Sequence, residues 1–219
     1  MLLSSNDIFK SEIDEIGILG KLNDKKNGIH VGLYWIKDSD KNFIHFKGRN
    51  KIEIKPPSNL KKYFGIKLNE FDEDFIPSLI SLVNLIKDNN LGDIKISLKS
   101  IIYKGNKFDI ESGKYIVKQD FENYINCGIF VLAILETYDL KILDWKNWPK
   151  VSEFNKNEYL QVWLEENEIP EKDHIKYYNF NKEIKGKHIL ASPLTNKIPA
   201  KYKATEKKSN EILDFLKST

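Results

Sequence analysis

The stretch Ile29-His30-Val31-Gly32-Leu33-Tyr34-Trp35-Ile36 decides how this chain is read. Ile29, Val31, Leu33 and Trp35 alternate with His30, Gly32 and Tyr34, and a period of two predicts a β-strand with one buried face. Asn27-Gly28 ahead of it is a turn signal, and Lys37-Asp38-Ser39-Asp40 behind it is a polar turn. Phe43-Ile44-His45-Phe46 then reads as a second strand ending at Gly48. Residues 51–55 read as a third, stopped by Pro56-Pro57. With the turn held in residues 37–40, Ile36 faces Lys41 and His45 faces Gly32. His45 and His30 are then diagonal neighbours on one face, roughly 7–8 Å apart at the backbone. Any register whose paired numbers sum to an odd total keeps both histidines on that face; an even total separates them.

Outward from this hairpin, residues 7–22 mix apolar and charged positions in a weak helical pattern. Phe75, Ile76, Leu79, Ile80, Leu82, Val83 and Ile86 are spaced as an amphipathic helix over residues 74–88. Short strands are expected near 94–98 and 101–103. Residues 127–137, Cys-Gly-Ile-Phe-Val-Leu-Ala-Ile-Leu-Glu-Thr, are apolar on nearly every side, which predicts a buried helix, and Asn126 is a good N-cap for it. After Trp148-Pro149 the chain turns polar, with Pro170, Pro193 and Pro199 and a last helical stretch near 209–216. The expectation is an α+β fold: a small antiparallel sheet packed against a buried helix, with a core in residues 1–148 and a C-terminal appendage, 149–219, packed on it.

Composition narrows the function. The chain has 219 residues, 41% of them hydrophobic, enough for one sizeable core. Its apolar runs are far shorter than the roughly 20 residues of a membrane helix. Residues 1–20 show no basic region followed by an apolar stretch, so a soluble, cytoplasmic protein is the default expectation; a protein exported without a signal peptide would look the same. The net charge is +3, and Arg49 is the sole arginine. Arginine is the usual residue for bidentate phosphate and base contacts, so nucleic acid is not the expected partner. The densest basic cluster, 201–208, reads as an exposed loop or helix face.

The chain has one cysteine, Cys127, and four histidines. An intramolecular disulfide is excluded, and neither a structural zinc site nor any cofactor is expected. A lone cysteine is either a small buried hydrophobe or a nucleophile. Its position argues for the second. At a helix N-terminus the unpaired N–H groups and the dipole favour a thiolate and lower the cysteine pKa, and the same N–H groups suit a tetrahedral oxyanion. His30, on the polar face of its strand, is placed to act as general base. Gly32, on the same face, marks a close approach by another backbone, for which the helix bearing Cys127 is the candidate. His45 is placed to orient His30 through a ring hydrogen bond, the third-member role of a triad.

The segments Ile29-His30-Val31-Gly32-Leu33-Tyr34, Phe43-Ile44-His45-Phe46 and Asn126-Cys127-Gly128-Ile129-Phe130-Val131 together resemble the circularly permuted papain-like group. That group includes the permuted NlpC/P60 proteins and the lecithin:retinol acyltransferase-like enzymes. The order His, His, Cys is theirs, and the match covers roughly residues 28–138. The resemblance implies a papain-like fold with Cys127 as nucleophile, His30 as base and His45 as orienting residue. Asn126, Tyr34 and Gly32 are the positions expected to border the substrate. The Pro-Gly-Asp segment that precedes the histidine strand in the acyltransferases is absent from residues 17–27. Residues 127–148 also look like a set of bacterial proteins with a similar cysteine helix followed by Trp-Pro.

The expected function is cysteine-dependent hydrolysis of an amide, peptide or isopeptide bond, or deamidation, through an acyl-enzyme on Cys127. The expected partner is a protein or peptide substrate. Alternatives are thioester-mediated acyl transfer or phospholipid deacylation, a catalytically inert papain-like binding protein, and a mononuclear metal site built from His30, His45 and Cys127.

Overall fold

The computed structural model describes residues 2–23, 28–48, 51–60, 62–68, 74–89, 95–96, 101–103, 105–116, 124–149, 165, 168, 170–172, 181–182 and 184–218. It is an α+β protein built on a six-stranded sheet. The strands are β1 (Leu3–Ser4), β2 (Glu15–Leu22), β3 (Ile29–Lys37), β4 (Asp40–Gly48), β5 (Lys51–Lys55) and β6 (Phe64–Lys67). Their order across the sheet is β1-β6-β2-β3-β4-β5, and every pairing is antiparallel.

The hairpin has the expected register: Ile36 pairs with Lys41 and His45 with Gly32. The strands run further than expected, to a Lys37–Asp40 pair, which leaves a two-residue turn. Asp38 and Ser39 both have positive φ, 48° and 70°, the geometry whose twist matches flanking strands. Asp14 secures the turn by accepting from the Asp38 N–H at 3.0 Å and pairing with Lys37.

Residues 7–22 correct the helical expectation. Only Ser5–Ile8 form a helix, α1, capped by Ser4, and Glu15–Leu22 form β2 in the middle of the sheet. A strand buried on both faces carries apolar residues at successive positions and shows no period of two, as in Ile16-Gly17-Ile18-Leu19. Gly17 is required there: a Cβ would lie 2.2 Å from the Ile66 carbonyl oxygen and 2.3 Å from the Tyr34 ring.

Each face of the sheet carries its own core. On one, Ile16, Ile18, Val31, Leu33, Ile44 and Phe46 pack with the helices. These are α2 (Phe75–Asp88), α3 (Cys127–Thr137), α4 (Gly186–Ala191) and α5 (Tyr202–Ser218). On the other, Leu19, Tyr34, Ile36 and Phe43 pack with Ile8, Phe9, Leu60 and Tyr63. The apolar surface of α3 is explained by its surroundings, since every residue from Gly128 to Leu135 is buried. The short strands β7 (Lys95–Ile96), β8 (Ile101–Ile102), β9 (Lys107–Phe108), β10 (Tyr115–Ile116), β11 (Tyr124–Ile125) and β12 (Asn181–Lys182) form three two-stranded pairs. The rest of the strand expected near 94–98 lies outside the described residues.

The C-terminal segment is more than an appendage. Ile184, Ile189, Leu190, Ala191, Ala200, Ile212 and Leu216 belong to the main core. Gly186 meets β3 so closely that a Cβ would lie 2.1 Å from the Ile29 carbonyl oxygen. Trp148, where the composition changes, is 3% exposed and packs edge-on against His188 and Tyr202. Helix α5 extends to both sides of the expected 209–216, and its early lysines lie on its outer surface.

Candidate active site

The His30 and His45 rings lie on the second face of the sheet, with Nε2 of His30 2.7 Å from Nδ1 of His45. The rings meet edge to face, and the His45 ring stacks on Phe43, two residues earlier on β4, with centroids 5.2 Å apart. His45 is 3% exposed. Its other nitrogen, Nε2, is 3.4 Å from Oε2 of Glu53, the residue directly opposite on β5. The two atoms are close without the alignment of a full hydrogen bond. Lys47 and Lys55 hold the same carboxylate oxygen at 3.1 and 3.4 Å. No motif in the sequence marks Glu53. Strand β5 was expected, and antiparallel pairing places its middle residue beside His45.

This network has one consistent proton arrangement. The Glu53 carboxylate favours a proton on Nε2 of His45, so Nδ1 accepts from Nε2–H of His30. That leaves Nδ1 of His30 as the basic atom. Burial first, then the charges of Lys21 and Lys55, push the His30 pKa down to about 4. Burial, His30 and Lys55 push His45 down as well, against an opposing pull from Glu53. Burial works to raise the Glu53 carboxyl, but Lys47 and Lys55 outweigh it and hold it below the ordinary value. Both imidazoles are therefore neutral at pH 7 beside an ionised carboxylate.

Cys127 opens α3, as expected, and the Asn126 side chain caps the helix by accepting from the Ile129 N–H at 2.8 Å. The Asn126 amide also reaches the Ile184 carbonyl at 3.4 Å and so ties the C-terminal segment to the site. Helix α3 packs against the face of the sheet opposite the histidines. Cys127 packs against that same core, where the β3–β4 ladder has ended at the Gly32–His45 pair. Beyond that rung the backbone N–H groups of Val31, Gly128 and Cys127 itself act on the Cys127 sulfur in favour of its charged form. The next residue back along β3 is His30.

Three expectations are corrected. Burial raises the Cys127 thiol more than the three N–H groups lower it, so its resting form is the thiol and not a thiolate. Tyr34 does not border a substrate site: it is wholly buried, and its hydroxyl donates to Glu15 at 3.1 Å. The close approach at Gly32 comes from within the sheet, where a Cβ would lie 2.2 Å from the Ile44 carbonyl oxygen and 2.7 Å from the Phe43 ring, and not from the cysteine helix. Tyr63, which no sequence motif marks, also lies on the histidine side of the sheet. It packs edge-on against Phe43, and its hydroxyl is pushed up to about 12, chiefly by burial.

The remaining histidines stand apart. Nδ1 of His188 accepts from the Lys185 N–H at 3.1 Å, and its Nε2 lies 2.6 Å from Glu206, so it joins the start of α4 to α5. His174 lies outside the described residues. Among the described residues no group of three or more His, Cys, Asp or Glu side chains is arranged to hold a metal ion, and no helix is long and apolar enough to cross a membrane.

Comparison with protein-family models, with curated proteins and with solved structures gave no match to this chain.

Proposed function

We propose that the protein is a papain-like thiol hydrolase of the permuted NlpC/P60 type that cleaves an amide, peptide or isopeptide bond. The observation that carries the reading is the line Glu53–His45–His30, which ends one residue from Val31, whose N–H favours the charged form of the Cys127 sulfur. A buried histidine pair anchored by a carboxylate beside a helix-start thiol is costly to build as packing alone.

In this reading the resting pair is neutral. As the substrate carbonyl is attacked, Nδ1 of His30 takes the thiol proton and the sulfur–carbon bond forms. The charge on His30 is shared through His45 with Glu53, which orients both rings. The carbonyl oxygen becomes an oxyanion held by N–H groups at the start of α3. His30 then returns the proton to the nitrogen as the C–N bond breaks, leaving an acyl-thioester on Cys127. Water, deprotonated by His30, releases the acid and restores the thiol. Deamidation follows the same steps with ammonia as the leaving group.

The raised thiol favours one rival, an inert scaffold that keeps the site as a binding surface. Labelling with cysteine-directed acyl and peptide probes, read by intact mass, separates the two. Wild-type labelling on Cys127 that falls sharply in His30→Ala supports the hydrolase. Equal, slow labelling in both proteins means an ordinary thiol and defeats it.

A further inference from the structure

Lys21 stands directly across the β2–β3 ladder from His30, and its ammonium lies 5.4 Å from the centre of the Tyr63 ring. Among the described residues no carboxylate pairs with it. The two lysines that flank Glu53, Lys47 and Lys55, are matched, since they share its carboxylate. A half-buried, unmatched cation beside the base opposes the imidazolium that the reaction must form. A partner that arrives with the substrate removes that conflict. One compact ammonium backed by an aromatic face suits a single carboxylate, whereas planar bidentate capture of phosphate is the habit of arginine.

We propose that Lys21 seats a carboxylate carried by the substrate beside the scissile amide, so that the substrates are acidic peptides or acyl-amides; this rests on the hydrolase reading. Once the carboxylate is seated, His30 no longer faces an uncompensated charge and accepts the thiol proton more readily. Recognition of the acidic group and activation of the base are then one event.

The test compares alkylation of Cys127 by iodoacetate and by iodoacetamide, which differ in carboxylate against amide. Replacing Lys21 alters His30 equally for both reagents, so the ratio of the two rate constants isolates the charge contact. In wild type that ratio is expected to exceed the ratio for a neutral small-molecule thiol by about fivefold or more. It should fall to the small-molecule value in Lys21→Met, persist in Lys21→Arg, and shrink near 1 M salt, where the Debye length is ~3 Å. A wild-type ratio equal to that of the small thiol, or one unchanged in Lys21→Met, overturns the carboxylate seat. Fast labelling with such a flat ratio leaves the hydrolase reading standing. Slow labelling with a Lys21-dependent ratio supports the seat and counts against the hydrolase. A second readout does not need the thiol: NMR titration of the His30 ring in N-acetylglutamate should give a higher pKa than in its absence, and no change overturns the proposal.

Discussion

Nε2 of His30 and Nδ1 of His45 lie 2.7 Å apart, although they stand fifteen positions apart in the chain. The contact spends one nitrogen of each ring on the other and leaves each ring one outward atom: Nδ1 of His30, on the basic side, and Nε2 of His45, facing Glu53.

Replacing His45 with alanine removes the acceptor that holds the His30 tautomer. The expected result is a loss of roughly 10²–10⁴-fold in the chemical step, carried by kcat and not by KM. Single-turnover acylation of Cys127 reads it directly, and a variant with wild-type acylation would remove His45 from the mechanism.

Glu53→Gln keeps the shape and loses the charge. The Nε2–H form of His45 is no longer selected by a carboxylate, so ring nitrogen shifts by ¹⁵N NMR should show mixed tautomers, with acylation slowed by about tenfold or more. Unchanged tautomers would mean that the strand geometry alone fixes the rings.

Acid should destabilise the fold before any exposed carboxylate titrates. His30 and His188 are each lowered to about 4 by burial, and His45 is also lowered. The unfolded chain takes up these protons near pH 6.5 while the folded chain refuses them until lower pH. Their contribution is therefore whole above pH 6.5 and declines as pH falls toward about 4. Urea midpoints at pH 7.5, 6 and 5 measure it; a flat profile would show that the histidines are not held neutral.

Asn126→Ala deletes the cap of α3 and should lower stability by about 1 kcal/mol, with Asn126→Asp keeping most of it. Denaturant midpoints decide the point. A chain ending at residue 148 should fail to fold, because Ile189, Leu190 and Ala191, each fully buried, close the core over β3. A soluble, cooperative 1–148 fragment would overturn this.

The sequence showed the hairpin and the helix because each writes its pattern locally: alternation at 29–36, a cap and an apolar run at 126–137. It concealed β2, whose two buried faces erase alternation, and the integration of 184–216, whose few apolar residues are spread among lysines. In the site, the two histidines were visible by residue type and register. Glu53 was legible only by extending the same pairing one strand further. The state of the Cys127 thiol was not legible at all, since a helix start argues for a thiolate and only the packing shows that burial wins.

The tight turn at Asp38-Ser39 has a consequence for how this protein tolerates change. Substitutions there alter comfort, since both positions bear left-handed backbone. A single insertion or deletion alters parity: it would turn His45 to the opposite side of β4 and exchange it with an apolar neighbour. The hairpin thus keeps its chemistry by counting residues, and descendants of this chain are free to vary the letters of that turn far more than its length.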